Sequence, residues 1–294
     1  MTGKPEWLRV KHREDPNMEI VERILEKYGL DTICREAACP NSMECFSRKT
    51  ATFLIMGTDC TRNCGFCKVH SGVPKPPDPG EPEKIAGAVA ELGLKYVVVT
   101  SVTRDDLDDG GAGHFAETVL AIGRETPKTA VEVLIPDLMG NLDALGTVAE
   151  SLPDVISHNM ETVASLYRRV RPKAEYRRSL EILRNIKVLN PDIRSKTGIM
   201  LGLGETRDEV CGLMDDIRSV GVEFLTIGQY LAPSKNHLPV LEYVHPDVFD
   251  EYREIADGKG FLFTASAPFV RSSYHAGEAL DSADPVPPAP ENRS

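Results

Sequence analysis

Three cysteines in one short segment have the most definite chemistry in this sequence. Cys60, Cys64 and Cys67 lie within eight residues, directly after an apolar stretch at 52–56. Three thiolates at this spacing can each ligate one iron of a cubane [4Fe–4S] cluster, which leaves the fourth iron open. Electron-transfer clusters normally have all four irons ligated by cysteine, so an open iron predicts a catalytic cluster.

Zinc is the alternative metal for this segment, because the C-x2-C pattern is common in zinc sites. A structural zinc requires a fourth ligand and usually paired motifs, whereas the spacings here are an uneven x3 and x2. An aromatic residue, Phe66, precedes the last cysteine. The pattern therefore favours an iron–sulfur cluster over zinc.

Another cysteine triplet, the first in chain order, precedes this segment. Cys34, Cys39 and Cys45 follow the pattern C-x4-C-x5-C, which is not the spacing of ferredoxins. Three thiolates again suggest a cluster, one that either stays open or takes a ligand from elsewhere in the chain. The seventh cysteine, Cys211, flanks a helical apolar pattern and is interpreted as a small core side chain.

Short apolar runs and longer amphipathic patterns alternate along the chain and must position these cysteines. The runs predict strands at 52–56, 96–100, 130–135, 155–157, 198–203, 224–228 and 261–264. The amphipathic patterns predict helices at 83–92, 114–125, 142–151, 174–190, 207–220 and 246–259. Continuously apolar strands such as YVVVT suit a parallel sheet that helices cover. We therefore expect an α/β fold, a partial (β/α) barrel of six or seven parallel strand–helix units, with a doubly wound open sheet as the alternative.

This alternation divides the chain into three predicted parts. Residues 1–50 form an N-terminal cluster-binding extension with the first cysteine triplet, and residues 51–265 form the barrel. Residues 266–294 form a C-terminal segment, of which 281–294 are rich in proline and predicted to be disordered.

Polar residues follow the predicted strands, where both candidate folds place active sites. Thr100 and Ser101 end the second strand, and Asn159 and Glu161 follow the fourth. These four residues are candidates for cofactor binding. For Asn159 and Glu161, a purely structural role at the strand end is an equal alternative.

Composition narrows the partners and the location. The 294 residues include 34 Lys and Arg against 45 Asp and Glu, a net charge of −11, which argues against a nucleic-acid binder. No apolar run approaches the roughly 20 residues that cross a bilayer, and the N-terminus lacks a secretory signal. A cytoplasmic protein is expected.

One basic run is either a solvated helix face or a docking surface for an acidic carrier: Arg168, Arg169, Arg171, Lys173, Arg177 and Arg178.

The pattern C-x3-C-x-aromatic-C after a first barrel strand resembles that of the radical S-adenosylmethionine superfamily. The resemblance implies that S-adenosylmethionine binds the open iron through its amino and carboxylate groups. One-electron reduction then gives methionine and a 5′-deoxyadenosyl radical. Thr100 and Ser101 lie where the superfamily often binds the methionine amino group, although the usual GGE sequence is absent here.

Both triplets together with RSSYHA near the C-terminus resemble the lipoyl synthase family. The similarity extends through KPEWLRV, TSVTRDDLDDGGAGHF, SHNMETV, GIMLGLGE and QYLAPSKNHLPV, up to about residue 276. It implies that Ser273 is the further ligand of the second, auxiliary [4Fe–4S] cluster. The implied catalytic residues are then Cys60, Cys64, Cys67 and Ser273.

The same resemblance implies the reaction and the partners. The substrate is an octanoyl group on a lysine of a lipoyl-carrier domain, and sulfur from the auxiliary cluster enters at carbons 6 and 8. The implied partners are that carrier, a reduced electron donor such as ferredoxin or flavodoxin, and an iron–sulfur carrier that rebuilds the cluster. The alternatives are another sulfur-inserting member of the superfamily, a non-catalytic iron–sulfur electron carrier, and a zinc-stabilised binding protein.

Overall fold

An eight-stranded sheet is the centre of the computed structural model, which describes residues 4–9, 15–48, 51–274 and 276–283. Its strands are β1 (Asp31–Thr32), β2 (Thr52–Ile55), β5 (Tyr96–Ser101), β6 (Ala130–Leu134), β7 (Val155–Ser157), β8 (Arg194–Leu201), β9 (Phe224–Gln229) and β10 (Phe263–Ser266). Two further short strands, β3 (Asp59–Cys60) and β4 (His70–Ser71), pair with each other. The seven strands β2 and β5 to β10 are parallel, and only β1 runs antiparallel.

The strand order decides between the two predicted folds. The order in the sheet is β1-β2-β5-β6-β7-β8-β9-β10, so the parallel strands follow the chain without reversal. A doubly wound sheet reverses its strand order at a switch point, whereas a barrel does not. Among the described residues β1 and β10 remain unpaired edges. The predicted partial (β/α) barrel is therefore confirmed.

Helices connect the strands and cover the outside of the sheet. The helices are α1 (Pro16–Tyr28), α2 (Ile33–Glu36), α3 (Ser42–Ser47), α4 (Glu81–Leu92), α5 (Ala112–Glu125), α6 (Leu142–Glu150), α7 (Tyr167–Val170), α8 (Tyr176–Leu189), α9 (Arg207–Ser219), α10 (Pro246–Gly258) and α11 (Ala276–Ala283). Local sequence fixes their ends. Asp15 accepts a hydrogen bond from the Asn17 N–H at the start of α1, and Thr206 and Glu209 form a capping box on α9. In the described part of the chain, no helix has the length and apolarity needed to cross a bilayer.

The N-terminal extension packs onto the barrel. Val21 and Leu25 of α1 and Phe46 of α3 belong to the same continuous apolar core as Ile85 and Val89 of α4. Burial of these side chains stabilises the extension by about 1.5–3 kcal/mol each. The extension that carries the first cysteine triplet is thus packed against one side of the barrel.

Two strands begin at residues other than those predicted, and most strand ends differ by one or two residues. Strand β8 begins at Arg194 rather than at position 198, because Lys196 is buried and pairs with the buried Glu132 at 2.8 Å. Tyr96 also donates to Glu132, at 2.6 Å. A polar residue that is buried by pairing does not look like a strand residue in the sequence. The last strand, β10, begins at Phe263, two residues after the predicted start.

The C-terminal helix packs against the amino ends of several strands. Ala279 of α11 is buried against Val155 of β7 and Phe224 of β9, while Gly277 lies against Tyr96 of β5. One helix therefore contacts strands from both halves of the sheet, as a curved sheet requires. Residues 281–283 of the tail predicted to be disordered are helical, which corrects that part of the prediction, and 284–294 lie outside the described residues.

Candidate active site

The loop with the second cysteine triplet, residues 60–67, follows β2 and is called the cluster loop here. Neighbouring segments hold it on both sides. The Gly65 N–H donates to the Val170 carbonyl at 2.9 Å, and the Gly65 carbonyl accepts from the Leu238 N–H at 2.9 Å. A Cβ at position 65 would lie 2.8 Å from Cγ of Leu238, so glycine permits this close approach.

Backbone N–H groups surround the sulfur of Cys60. Its Sγ accepts from the Arg62 N–H at 3.4 Å and from the Thr103 N–H at 3.3 Å. The carbonyl of Cys67 lies 3.0 Å from Nε2 of His237. Hydrogen bonds to cluster sulfurs set the reduction potential of iron–sulfur centres. The environment of Cys60 therefore suits a redox-active cluster ligand.

The thiols of the cluster loop are partly buried and interact electrostatically. Burial raises the pKa of Cys64 and raises the pKa of Cys67 to about 12. The charge of Arg171 lowers the pKa of Cys64, while neighbouring thiols raise both values. Buried thiolates require a compensating positive charge, and iron ligation provides one. The donor set therefore fits an iron–sulfur cluster. Within the described ranges, no three His, Cys, Asp or Glu side chains form a site for a single metal ion.

Arg62 fixes the cluster loop to the ends of two barrel strands. The arginine is 4% exposed and donates to Asp105 at 2.7 Å and to Asp137 at 2.6 Å. Burial alone would raise the pKa of Asp137, but the Arg62 guanidinium overcomes this effect and lowers it to about 2. Arg178 contacts the other oxygen of Asp137 at 3.4 Å. The buried ion pair determines where the loop lies relative to the barrel.

Substitution of Arg62 should therefore destabilise the folded protein. We expect Arg62→Met to lower the free energy of unfolding by about 3–5 kcal/mol, because Asp137 then stays buried without its closest partner. Arg178→Met is the matched control, and it should cost clearly less because the shorter Arg62 contact remains. Denaturant titration measures both values. Equal losses would show that Arg62 is not the main partner of Asp137.

The first cysteine triplet lies on the N-terminal extension. Helix α2 carries Cys34, helix α3 carries Cys45, and Cys39 lies between them. Cys34, Cys45 and Ser273 line one cavity of about 480 Å³, to which Tyr96 of β5 also contributes. Burial raises the pKa of Cys34, and the charge of Cys39 raises it further. The structure thus brings a distant serine to this triplet, and the donors fit a second cluster.

Residues 267–274, called the bridging segment here, lead from β10 to this cavity. Its hydrogen bonds to β9 and to the extension are Ala267 N–H to Ile227 O at 3.1 Å, Gln229 N–H to Pro268 O at 3.2 Å, Asn41 Nδ2 to Phe269 O at 2.6 Å and Tyr274 OH to Glu44 Oε1 at 3.0 Å. A Cβ on Gly228 would lie 2.1 Å from the Val270 carbonyl oxygen, so only glycine admits the segment there.

The four predicted cofactor residues lie at strand ends, in two different settings. Thr100 donates its hydroxyl to the Leu134 carbonyl at 3.0 Å, so its proton is used within the sheet. The hydroxyl of Ser101 is buried and has no hydrogen-bond partner among the described residues. Asn159 donates to Glu161 at 3.0 Å, and burial raises the pKa of Glu161. Ser101, Asn159 and Glu161 therefore retain hydrogen-bonding capacity for a ligand.

The prediction that the basic run is one solvated helix face is wrong for Arg171. Helix α7 ends at Val170, so Arg171 leaves the helix face and turns inward. It is 8% exposed and donates to the Asn159 carbonyl and to the Tyr167 hydroxyl, both at 2.7 Å. Burial opposes its charge, but the neighbouring Tyr167 and Glu161 raise the pKa of Arg171.

The rest of the basic run divides into three settings. Arg168, Arg169 and Arg177 are exposed. Lys173 donates to the Thr61 carbonyl at 2.7 Å and so supports the cluster loop. Arg178 is partly buried through its contact with the buried Asp137. The surface available for docking is therefore smaller than the run in the sequence.

The residues that support the site have little signal in the sequence. Arg62, Asp137, Asn41 and Ser272 all hold proposed site residues in place, yet none stands out by type or spacing. Only Arg62 carried a signal, because it lies between two cysteines and an acidic loop follows the next strand. Cys211 is half-buried against the main core, consistent with its interpretation as a packing residue.

Comparisons with known proteins agree with this arrangement. The family model of the Radical SAM superfamily matches residues 54–217. Lipoyl synthase from Alkaliphilus metalliredigens is 56% identical over 278 residues, covering 95% of this chain and 96% of its own. Lipoyl synthase from Geobacter metallireducens is 53% identical, covering 93% of this chain and 96% of its own.

Solved structures show the same fold at low identity. The FeFe-hydrogenase maturase HydG from Carboxydothermus hydrogenoformans matches with a TM-score of 0.59 at 15% identity, over 90% of this chain and 69% of its own. Methylornithine synthase matches with a TM-score of 0.57 at 15% identity, over 85% of this chain and 75% of its own.

A partial barrel with three cysteines in the loop after its first parallel strand defines a radical S-adenosylmethionine protein, and the chain belongs to that superfamily. Within it, the identity over almost the full length places the chain in the lipoyl synthase family. The chain is thus a radical S-adenosylmethionine sulfurtransferase whose cofactors are [4Fe–4S] clusters and S-adenosylmethionine. The predicted enzyme class and cofactors are confirmed. The zinc-protein and electron-carrier alternatives are not supported by these comparisons.

Proposed function

We propose that this chain inserts two sulfur atoms at carbons 6 and 8 of a protein-bound octanoyl-lysine, with its two cysteine triplets in separate roles. Cys60, Cys64 and Cys67 hold the cluster that binds S-adenosylmethionine. Cys34, Cys39, Cys45 and Ser273 hold the auxiliary cluster. The observation that carries this proposal is that Ser273, from the far end of the chain, lines one cavity with Cys34 and Cys45.

The bound groups supply the chemistry: reductive cleavage of S-adenosylmethionine gives the radical that removes hydrogen, and the auxiliary cluster provides the sulfide. The chain's own residues hold and orient these groups. Arg62 fixes the cluster loop against Asp105 and Asp137. The bridging segment brings Ser273 to the extension. A serine oxygen is a harder and more exchangeable iron ligand than a thiolate, which suits a cluster that is consumed.

We assign the binding of S-adenosylmethionine to Thr100, Ser101, Asn159 and Glu161. The buried, unpartnered hydroxyl of Ser101 and amide oxygen of Asn159 support this assignment. Thr100 contributes through its oxygen lone pairs only, because its hydroxyl already donates a hydrogen bond to the Leu134 carbonyl.

One assay tests the reaction directly. Anaerobic protein with S-adenosylmethionine, a reductant and an octanoyl-lysyl peptide should give a peptide with the mass of the lipoyl product. About eight iron per chain and formation of 5′-deoxyadenosine should accompany the product. Cleavage of S-adenosylmethionine without any change in peptide mass would instead favour a sulfur-inserting enzyme with another substrate.

The partners follow from this chemistry. The chain acts on a lipoyl-carrier domain, accepts electrons from a reduced donor such as ferredoxin or flavodoxin, and requires an iron–sulfur carrier to rebuild the auxiliary cluster. We also propose a cytoplasmic location, because free cysteines that ligate clusters require a reducing compartment. Residues 1–50, 51–265 and 266–294 act as extension, barrel and C-terminal segment.

We further propose that the exposed Arg168 and Arg169 dock an acidic carrier domain. Lys173, which lies nearby in sequence, bonds to the cluster loop and so places this surface near that loop. The double substitution Arg168→Glu and Arg169→Glu should weaken carrier binding, most strongly at low salt, because exposed charges mainly steer association. Turnover of a short octanoyl-lysyl peptide should be unchanged. Binding measured at two salt concentrations checks this result.

The matched control reverses Arg124 and Arg253, two exposed arginines on α5 and α10. It changes the net charge equally and should leave carrier binding close to wild type. Equal weakening by both double variants would mean that net charge alone, rather than this surface, determines docking.

A further inference from the structure

The side-chain amide of Asn159 contacts one residue near each proposed cluster site: Glu161, whose charge acts on Cys64, and Ser272, the neighbour of Ser273. Its Nδ2 donates to Oε1 of Glu161 at 3.0 Å and to Oγ of Ser272 at 3.0 Å. A carboxylate can only accept, so Glu161 determines which end of the amide is nitrogen. The two bonds use both amide hydrogens and hold the amide in one orientation.

The oxygen of the same amide is unpaired. Oδ1 of Asn159 is buried and has no hydrogen-bond partner among the described residues. A Cβ at Gly198 would lie 2.9 Å from this oxygen, so glycine permits the close approach of the amide to β8. A buried acceptor without a donor is costly. The ammonium or ribose hydroxyls of S-adenosylmethionine are donors that would satisfy it.

Ser272 connects this amide to the proposed iron ligand. Ser272 and Ser273 are adjacent in a turn closed by the Tyr274 N–H and the Arg271 carbonyl at 3.0 Å. The hydroxyl of Ser272 meets Asn159, while Ser273 lines the cavity with the cysteines of the extension. Displacement of Ser272 must therefore displace Ser273 as well.

We propose that Ser272 is a positioning residue that couples S-adenosylmethionine binding at Asn159 to the hold of Ser273 on the auxiliary iron. This inference rests on the proposed function. A hydrogen bond accepted by Oδ1 polarises the amide and strengthens the bond from Nδ2 to Ser272. Because coupling between two sites is reciprocal, Ser272 tightens cofactor binding, and bound cofactor makes the auxiliary iron harder to remove.

The test uses the full chain loaded with both clusters, without reductant, so that S-adenosylmethionine binds but is not cleaved. Equilibrium dialysis gives its Kd, and a chelator extracts auxiliary iron with and without it. We expect Ser272→Ala to raise the Kd about five- to tenfold. In the wild type, S-adenosylmethionine should slow iron loss, and in Ser272→Ala this protection should disappear.

Two further variants separate positioning from general damage. Ser272→Thr keeps the hydroxyl and should restore the protection. Ser282→Ala removes an exposed hydroxyl that donates to the Glu278 carbonyl of its own helix, and it should match the wild type. Equal protection in Ser272→Ala and wild type would overturn the coupling. If S-adenosylmethionine does not slow iron loss in the wild type, the coupling is also overturned. This wild-type measurement is decisive if Ser272→Ala does not fold.

Failure of this inference is distinguishable from failure of the proposed function. If only the coupling is wrong, the wild type still assembles two clusters and still binds S-adenosylmethionine. If the proposed function is wrong, the auxiliary cluster itself does not assemble on Cys34, Cys39 and Cys45.

Discussion

Cys64→Ala should abolish formation of 5′-deoxyadenosine and of lipoyl product together. Each thiolate of the cluster loop is assigned its own iron, so the loss of one leaves two ligands in a loop that Val170 and Leu238 hold in place. These hydrogen bonds oppose a shift of the loop that would bring another residue into the vacated position. We expect iron to fall from about eight to about four per chain, with the auxiliary cluster retained.

Cys211→Ala is the matched control, because Cys211 lies outside both triplets and packs against the core. It should retain the iron content, the cleavage of S-adenosylmethionine and the product. Anaerobic iron analysis and chromatography of 5′-deoxyadenosine measure these outcomes for both variants. Cleavage by Cys64→Ala at the wild-type rate would remove the cluster loop from its proposed role.

The barrel is predictable from the sequence for a physical reason. A strand buried on both faces is continuously apolar, as in Val97, Val98 and Val99, and this pattern survives in the sequence whatever the strand's neighbours are. Cysteine spacing in a short loop is equally local. The strand order then follows from the alternation of strands and helices.

The prediction failed where structure depends on contacts between distant residues. Lys196 looks polar and solvent-exposed in the sequence, but its buried partner Glu132 lies 64 residues away, so β8 is longer than predicted. Arg171 looks like part of a basic surface until its bond to Asn159 is known. Pairing allows these charged side chains to be buried, and a single sequence does not show which residues pair.

Ser273 shows the same limit at the candidate site. Two adjacent serines usually cap a helix or form a turn, and residues alone favour that interpretation. Only the family resemblance pointed to a ligand, because 228 residues separate Asn41 from Phe269, whose contact anchors the bridging segment to the extension. A ligand brought from the far end of the chain leaves no local signal.

Cys39→Ala and Ser273→Ala should separate radical generation from sulfur insertion. Both leave the cluster loop intact, so S-adenosylmethionine should still be cleaved. With Cys39→Ala we expect 5′-deoxyadenosine to form while lipoyl product is absent. Hydrogen is removed from the substrate, but no auxiliary cluster is present to supply sulfur to the carbon. Ser273→Ala should be milder, with lower auxiliary-cluster occupancy, because three thiolates remain. If the first triplet were only structural, Cys39→Ala would instead unfold the chain or change nothing specific.

The origin of the sulfur decides the role of the auxiliary cluster. Enzyme reconstituted with heavy sulfide should give a lipoyl product that carries two heavy sulfur atoms, and mass spectrometry reads this directly. Because the cluster is consumed, the yield should stop at about one lipoyl group per chain unless the cluster is rebuilt. The exchangeable serine ligand suits this sacrifice, since an iron held through Ser273 leaves more easily than one held by a thiolate. Unlabelled product from labelled enzyme would mean an external sulfur donor, and the triplet on the extension would then lose its proposed function.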